Sequence, residues 1–167
     1  PEAVPKLEPL HRGAMRPYVV MGQSFTPMTE LAPYKAQGMA TWYGQTDVVR
    51  FLLEQGVDVV ARDEMDGDTA LHIASWEGHP EIVAELLRHR ADVHAIDNVH
   101  RTPPITWALH AMLVENRKRN DAYRDILRLL LDAGATVTED WIDDDRLRED
   151  AELWPRLSAA ASRPADS

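Results

Sequence analysis

Residues 66–87, DGDTALHIASWEGHPEIVAELL, decide the fold. Thr69 is a residue type suited to a helix N-cap, and Gly78 can take the left-handed conformation that ends a helix. Between them, Leu71 and the small Ala74 form the inner stripe of a short helix. Beyond Gly78, four apolar residues follow at i, i+1, i+4 and i+5, the spacing of a single helical stripe: Ile82, Val83, Leu86 and Leu87. The stretch therefore predicts two short helices joined by a turn.

The same pattern occurs on both sides of this stretch. Downstream, Thr102-Pro103 follows Thr69-Ala70 by 33 residues and Ile126-Leu127 follows Ile82-Val83 by 44, so about eleven residues are inserted into a third unit. Because one unit cannot bury its stripe alone, stacked units are expected to share a core. Seven upstream residues match their equivalents at a spacing of 34: Gly44, Val48, Val49, Leu52, Leu53, Asp58 and Val59.

The pattern closely resembles the ankyrin repeat, in which T-P-L-H-x-A opens the first helix and I-V-x-x-L-L forms the second. The resemblance implies an all-α ankyrin-repeat solenoid of about three helix-turn-helix units, at residues 34–62, 63–96 and 97–137. It also implies that His72 hydrogen-bonds backbone between neighbouring repeats, a role that Gly38 and Ile105 at the matching positions cannot take. The residues that carry the motif are Thr69, Leu71, His72, Ala74, Gly78, Thr102 and Pro103.

Both ends depart from the repeat. Thr138-Glu139-Asp140 is a typical helix start, and apolar residues follow it, so residues 138–160 are expected to form a C-terminal capping helix region. Residues 161–167 are expected to be a frayed tail. Residues 1–33 hold six of the eleven prolines and show no helical period, which predicts an irregular N-terminal segment.

A second resemblance covers residues 9–44. The stretches RPYVVMGQSFTPM at 16–28 and YKAQGMATWYG at 34–44 resemble the segment that precedes the catalytic barrel of rare lipoprotein A, a bacterial peptidoglycan-cleaving family. After Gly44 the chain passes directly into the ankyrin pattern, so the barrel and its catalytic acids are not expected here. Residues 38–43 would form a strand in that family and a helix in an ankyrin unit, and we expect packing to impose the helix.

Composition excludes several classes of function. The net charge of −10 argues against a nucleic-acid partner, since phosphate binding requires clustered Lys and Arg. The chain has no cysteine and no apolar run of the ~18 residues that span a bilayer. The seven histidines lack metal-ligand spacing, and no catalytic motif is present, so we expect no enzyme activity, no catalytic or metal site and no cofactor. A monomer is expected; a cytoplasmic location is favoured, and a periplasmic one if a lipoprotein signal precedes Pro1.

Ankyrin repeats bind proteins through their hairpin tips and the exposed side of their first helices, so the resemblance predicts such a surface here. Trp42 and Trp76 occupy equivalent positions and should neighbour each other, as contacts or as the edge of the core. The acidic charge indicates a partner with a basic patch. The predicted partner-binding residues are Trp42, Tyr43, Arg62, Met65, Asp66, Asp68, Trp76, Glu77, Ile96, Asn98, Val99 and Arg101.

The sequence leaves three interpretations open: a protein-binding scaffold, a cell-envelope protein that carries a non-catalytic remnant of a rare-lipoprotein-A-like protein, and a chimera without a selected partner. The insertion in the third unit predicts that both of its helices are longer by a turn or more. The turn between them contains Arg117-Lys118-Arg119, the basic run of an acidic chain, which is either a second contact point or a solvated turn.

Overall fold

A computed structural model describes residues 18–20, 23–25, 33–114 and 120–162 of the chain. The chain divides into two compact units, residues 1–32 and residues 33–167. In the first unit, β1 (Tyr18–Val20) pairs with β2 (Gln23–Phe25) as an antiparallel hairpin in which Tyr18 faces Phe25. This short hairpin replaces part of the irregular segment that the sequence predicted.

The second unit is built from three antiparallel helix pairs. The first helices of the pairs pack side by side in one layer, and the second helices pack side by side in another. This arrangement confirms the predicted all-α repeat solenoid, and it confirms helix over strand for residues 38–42. The pairs are α1 (Pro33–Trp42) with α2 (Thr46–Glu54), α3 (Ala70–Glu77) with α4 (Pro80–Arg88), and α5 (Pro104–Leu113) with α6 (Asn120–Asp132).

The core lies between the two helix layers, and its apolar side chains are more deeply buried in the second repeat than in the first. Ile82 and Leu86 of α4 are fully buried, because helices of both neighbouring repeats cover them. The equivalent residues of α2, Val48 and Leu52, are only half-buried. Within residues 33–114 and 120–162 no helix pair packs on the outer side of the first repeat, so the apolar stripe of α2 is only partly buried.

The third repeat is one residue out of the register that the sequence indicated. Helix α3 begins after the N-cap residue Thr69, whereas α5 begins after the N-cap residue Pro103. The first helices of the two repeats therefore begin 34 residues apart, and not the 33 that the position of Thr102-Pro103 suggested. Thr106, and not Ile105, therefore stands at the position of His72, and Thr102 lies outside the helix. Pro104 at the first helical position explains the shift, because its missing N–H and fixed φ suit that position.

The insertion lengthens the second helix of the third repeat by about one turn, as predicted, but the first helix by only about half a turn, less than predicted. Helix α6 has 13 residues against 9 in α4, which adds about one turn. Helix α5 has 10 residues against 8 in α3. The connecting run Arg117-Lys118-Arg119 lies outside the described residues.

Three short helices close the C-terminal end: α7 (Glu139–Ile142), α8 (Asp145–Arg148) and α9 (Leu153–Ala160). They bury Ile142, Leu147, Leu153 and Leu157 against the last repeat. Ala161–Ser162 (β4) pair in parallel with Val137–Thr138 (β3), so these two residues are not frayed, contrary to the prediction for 161–167. The reason is that the extended chain that leads into α7, up to its N-cap Thr138, offers backbone groups that a second extended segment can pair with. No helix in the described ranges is long and apolar enough to cross a bilayer.

Candidate binding surface

The first hairpin tip, residues 62–69, is closed by its own backbone and by one aspartate. Arg62 and Thr69 form an isolated antiparallel bridge, and Asp63 N–H donates to the Asp68 carbonyl at 2.8 Å. The Asp63 Oδ1 atom accepts from the N–H groups of Met65 (2.8 Å) and Asp66 (3.1 Å). These bonds lower the pKa of Asp63, so its carboxylate stays ionised and holds the turn.

The second hairpin tip, residues 96–102, repeats this design around Asp97. The Asp97 carboxylate accepts from the N–H groups of Val99 (2.9 Å) and His100. It also accepts from Thr102 N–H (3.0 Å), the Thr102 hydroxyl (3.1 Å) and Trp107 Nε1 (3.3 Å). Burial opposes ionisation of Asp97, but the donors outweigh it and hold the pKa well below the usual range. The sequence reasoning did not single out Asp97 and Trp107, which shape this tip and lie 34 positions after Asp63 and Ile73.

Two predicted contact residues join the tips to each other. Arg62 Nη1 donates to the carbonyls of Gly67 (3.1 Å) and Ile96 (2.6 Å). Asn98 N–H donates to the Asp66 carbonyl at 2.8 Å, and the Asn98 amide covers Gly67 so closely that a Cβ there would overlap it. Arg62 and Asn98 are exposed, but each also ties one tip to the next.

His72 connects the first helix layer to the second tip. Thr69 N–H donates to His72 Nδ1 at 3.1 Å, which leaves the ring proton on Nε2 to donate to the Thr102 carbonyl at 3.2 Å. Burial lowers the pKa of His72 to about 4, while the bond to Thr102 opposes the shift. The imidazole is therefore neutral at pH 7, and it makes the inter-repeat backbone contact that the ankyrin resemblance implied.

An aromatic row runs along the exposed side of the first helices. Trp76 stacks on His110 at 5.4 Å between ring centroids and meets Trp107 edge-on at 6.0 Å. His110 lies 5.9 Å from Trp141 of the cap. Trp42, at the equivalent position of the first repeat, is 54% exposed. Trp76 is half-buried within this row, whereas the Trp42 side chain is exposed to solvent.

The exposed apolar side chains concentrate on the predicted surface. Met65, at 84% exposure, projects from the first tip, and Ile96 and Val99 are exposed on the second. Trp42 and Tyr43 are exposed at the end of α1. Met39 is also exposed, and it was not among the predicted residues.

The polar residues of the predicted set fall into two groups. Asp66 and Arg101 are exposed on the tips, whereas Asp68 and Glu77 are half-buried. Burial, with the charge of Asp63 next in weight, raises the pKa of Asp68 from its usual 3.8 to about 6. In the described part of the chain, no three histidine or acidic side chains are placed to hold a metal ion.

The chain is similar to known proteins in two respects. A family model for ankyrin repeats, in three copies, matches residues 38–140, more than half of the chain. A stretch of 43 residues is 44% identical to the endolytic peptidoglycan transglycosylase RlpA of Neisseria meningitidis serogroup B. That stretch is 26% of this chain and 18% of the transglycosylase, so the chain spans less than a fifth of that relative's length.

Proposed function

The chain belongs to the ankyrin-repeat family, and we propose that it is a non-enzymatic scaffold that binds a partner protein through its hairpin tips and first-helix faces. Ankyrin repeats generally mediate protein–protein interaction. They do so with a rigid stack of repeats, on which side chains from consecutive units form one extended surface. Here His72 and Arg62 each hydrogen-bond a backbone carbonyl of the next hairpin tip, so the second and third repeats are held in a fixed arrangement in the absence of a partner.

The position of the exposed apolar side chains carries this proposal. Of the nine large hydrophobic residues exposed in the described ranges, six lie on the tips or on α1, at its exposed side and its end. Large apolar and aromatic side chains grouped on one surface are the usual anchors of protein interfaces. The six residues are Met39, Trp42, Tyr43, Met65, Ile96 and Val99.

The charge of the chain supports a partner with a basic patch. The net charge is −10, and Asp63, Asp66 and Asp68 lie together on the first tip. Such a field raises the association rate with a basic partner more than it raises the affinity. We therefore propose that partner association slows as salt is added, because counterions screen exposed charges.

Affinity capture with matched variants tests the proposal. The full chain is immobilised, and partners from a lysate of the source organism are quantified by mass spectrometry. Met65→Ser and Trp42→Ala should each reduce capture of the partner at least about fivefold, in line with an interfacial anchor. Phe51→Ser is the control, because Phe51 is 39% exposed on α2, away from the tips. Equal capture by all three variants would rule the surface out.

A second candidate function follows from the 43-residue match to RlpA. In this alternative the chain is a bacterial cell-envelope protein with a non-catalytic remnant of a peptidoglycan-cleaving protein. Purified sacculi incubated with the full chain, and with a variant that lacks residues 1–32, test it directly. Retention of the full chain alone would favour the envelope function, whereas equal passage of both would eliminate it.

The proposed scaffold is monomeric. Light scattering coupled to gel filtration should return the mass of one chain, 18.9 kDa, at micromolar concentration. A mass of two chains would instead indicate that the exposed apolar side chains bind a second copy.

A further inference from the structure

The first repeat departs from the second at three matching positions of its first helix. The three residues of α1 stand 34 positions before their counterparts in α3. In α3 the counterparts are a fully buried leucine, the histidine that binds the second tip, and a serine whose hydroxyl has a partner. The matching pairs are Gln37 and Leu71, Gly38 and His72, and Thr41 and Ser75.

Gln37 and Thr41 bury polar atoms that lack a partner. Gln37 is 2% exposed, and Thr41 is fully buried. Among the described residues, neither Gln37 Nε2 nor Thr41 Oγ1 has a hydrogen-bond partner. The Ser75 hydroxyl, by contrast, donates to the Leu71 carbonyl at 2.7 Å. A polar atom that gives up water without gaining a partner destabilises the folded state, so α1 is held in the stack less firmly than α3.

Gly38 weakens the same helix in two ways. Glycine in a helix interior is less favourable than alanine, because glycine has more conformational freedom in the unfolded chain. Glycine also has no side chain, so Gly38 cannot make to the first tip the bond that His72 makes to the Thr102 carbonyl of the second tip. The surroundings do not require glycine here, because a Cβ at Gly38 would lie 3.7 Å from Ile73 Cδ1, an ordinary contact distance.

Long polar contacts join the first repeat to the second. The Arg50 and Lys35 side chains that take part in them are 44% and 43% exposed. Ion pairs of such exposed side chains contribute little to stability, because solvent screens them. Three of these contacts are Arg50 Nε to Glu85 Oε2 (3.4 Å), His79 Nε2 to the Trp42 carbonyl (3.3 Å), and Lys35 Nζ to Glu64 Oε2 (3.9 Å).

Shorter bonds join the second repeat to the third. The Tyr123 hydroxyl donates to the Trp76 carbonyl at 2.8 Å, and Asn98 N–H donates to the Asp66 carbonyl at 2.8 Å. The apolar stripe of α4 is also more deeply buried than that of α2. Because the stability of a stack is the sum of each repeat's own stability and its contacts with its neighbours, the first repeat is less stable than the second.

We propose that the first repeat, α1 with α2, opens and closes as a unit while the second repeat, the third repeat and the C-terminal helices stay folded. Met39, Trp42 and Tyr43 then leave and rejoin the proposed binding surface together, whereas Met65 and Ile96 remain in place. A partner that contacts both parts closes the first repeat when it binds, because it binds the closed form. Only this last step rests on the proposed function.

Native-state hydrogen exchange of the full chain, resolved by residue with NMR at pH 7, tests the opening without a partner. Amides of α1 and α2 should be at least about tenfold less protected than those of α4 and α6, since local opening is enough to expose them. Gly38→Ala should raise the protection of α1 and α2 about fivefold, and Gln37→Leu should raise it as well. Ser158→Ala, at an exposed position of α9, is the control and should leave it unchanged.

A substitution in α9 distinguishes local opening from unfolding of the whole chain. Leu157 is fully buried, so Leu157→Val should lower the protection of α6 about fivefold. It should leave the protection of α1 and α2 unchanged, because α9 stays folded when the first repeat opens. The closing step is tested with the purified protein whose capture depends on Trp42, which in excess should raise the protection of α1 and α2 at least about tenfold.

The outcomes separate this inference from the proposed function. Equal protection of α1, α2, α4 and α6 would overturn the inference, and so would a loss of protection in α1 and α2 with Leu157→Val. The absence of any gain with both Gly38→Ala and Gln37→Leu would overturn it as well. Protection of α1 and α2 that the added protein does not change would overturn the closing step alone. The capture experiment with Met65→Ser and Trp42→Ala does not depend on opening, so it tests the proposed function separately.

Discussion

The Tyr123 hydroxyl donates to the Trp76 carbonyl at 2.8 Å, and this bond repeats a contact one unit earlier in the stack, where His79 Nε2 lies 3.3 Å from the Trp42 carbonyl. Tyr123 stands 44 residues after His79, which is the offset of the enlarged repeat. In both places the ring also covers the left-handed glycine that ends the first helix, Gly78 or Gly44. An aromatic side chain from each second helix or its N-cap thus covers the end of the preceding first helix.

Tyr123→Phe should destabilise the chain by about 0.5–1.5 kcal/mol, because it removes this donor and keeps the ring. Urea unfolding at pH 7.5 measures the change. Gly78→Ala should cost more, since its Cβ would lie 3.2 Å from Tyr123 Cζ and Gly78 has φ +75°. Equal stability of Tyr123→Phe and the wild type would show that the hydroxyl is satisfied as well by water.

Leu86→Ala should cost about 2–5 kcal/mol, because Leu86 is fully buried between stacked repeats and its loss leaves a cavity. The equivalent Leu52→Ala should cost less, on the order of 1 kcal/mol, because Leu52 is half-buried and water reaches the site. Thermal and urea unfolding of both variants provide the comparison. A larger loss for Leu52→Ala than for Leu86→Ala would contradict this account.

Asp97→Asn should destabilise the chain more than the equivalent substitution Asp63→Asn. The Asp97 carboxylate accepts five hydrogen bonds, and bonds to a charged acceptor contribute about 1.5–3 kcal/mol each when broken. Because the folded pKa of Asp97 is depressed, its contribution is present above the usual pKa of 3.8 and is lost as the pH falls below it. Similar losses for the two variants would contradict this account.

The stability contribution of His72 should decline as the pH falls from 6.5 to about 4. The unfolded chain binds a proton near the usual pKa of 6.5, whereas the folded chain resists protonation until about 4. The full loss across this window is about 3 kcal/mol. Urea midpoints at pH 7.5, 5.5 and 4.5 measure it, with His72→Gln as the variant in which this slope should be absent.

Asp68→Asn should stabilise the chain at pH 7.5, because it removes a carboxylate that burial and Asp63 disfavour. Since the folded pKa is raised to about 6 above the usual 3.8, the wild type takes up a proton on folding and gains stability between those values as the pH falls. The advantage of Asp68→Asn should therefore shrink from pH 6 to pH 4. An advantage that is constant with pH would show that Asp68 does not titrate there.

The repeat architecture follows from local signals. Gly78, Thr69 and the stripe Ile82–Leu86 specify where helices begin, end and face, and each signal is complete within a few residues. Because the stripe repeats at a fixed spacing, the stacking of units follows from it without further information. The positions of the hairpin tips were predictable for the same reason, since the tips occupy fixed positions in every unit.

Other features depend on contacts between units, which no single stretch of sequence encodes. Trp42 and Trp76 are equivalent in sequence, yet Trp76 packs against Trp107 and His110 of the next repeat and is half-buried, whereas Trp42 is 54% exposed. Asp63 and Asp97 are also equivalent in sequence, and both accept two backbone N–H groups of their own tip, but only Asp97 also accepts from Thr102 and Trp107. The sequence by itself determined the helices, their order and their apolar faces, because those depend on near neighbours along the chain. The tertiary structure decided which aromatic side chains are covered, because their exposure depends on neighbours from the adjacent repeat, and how far the acidic side chains of the tips are buried, because burial shifts their ionisation.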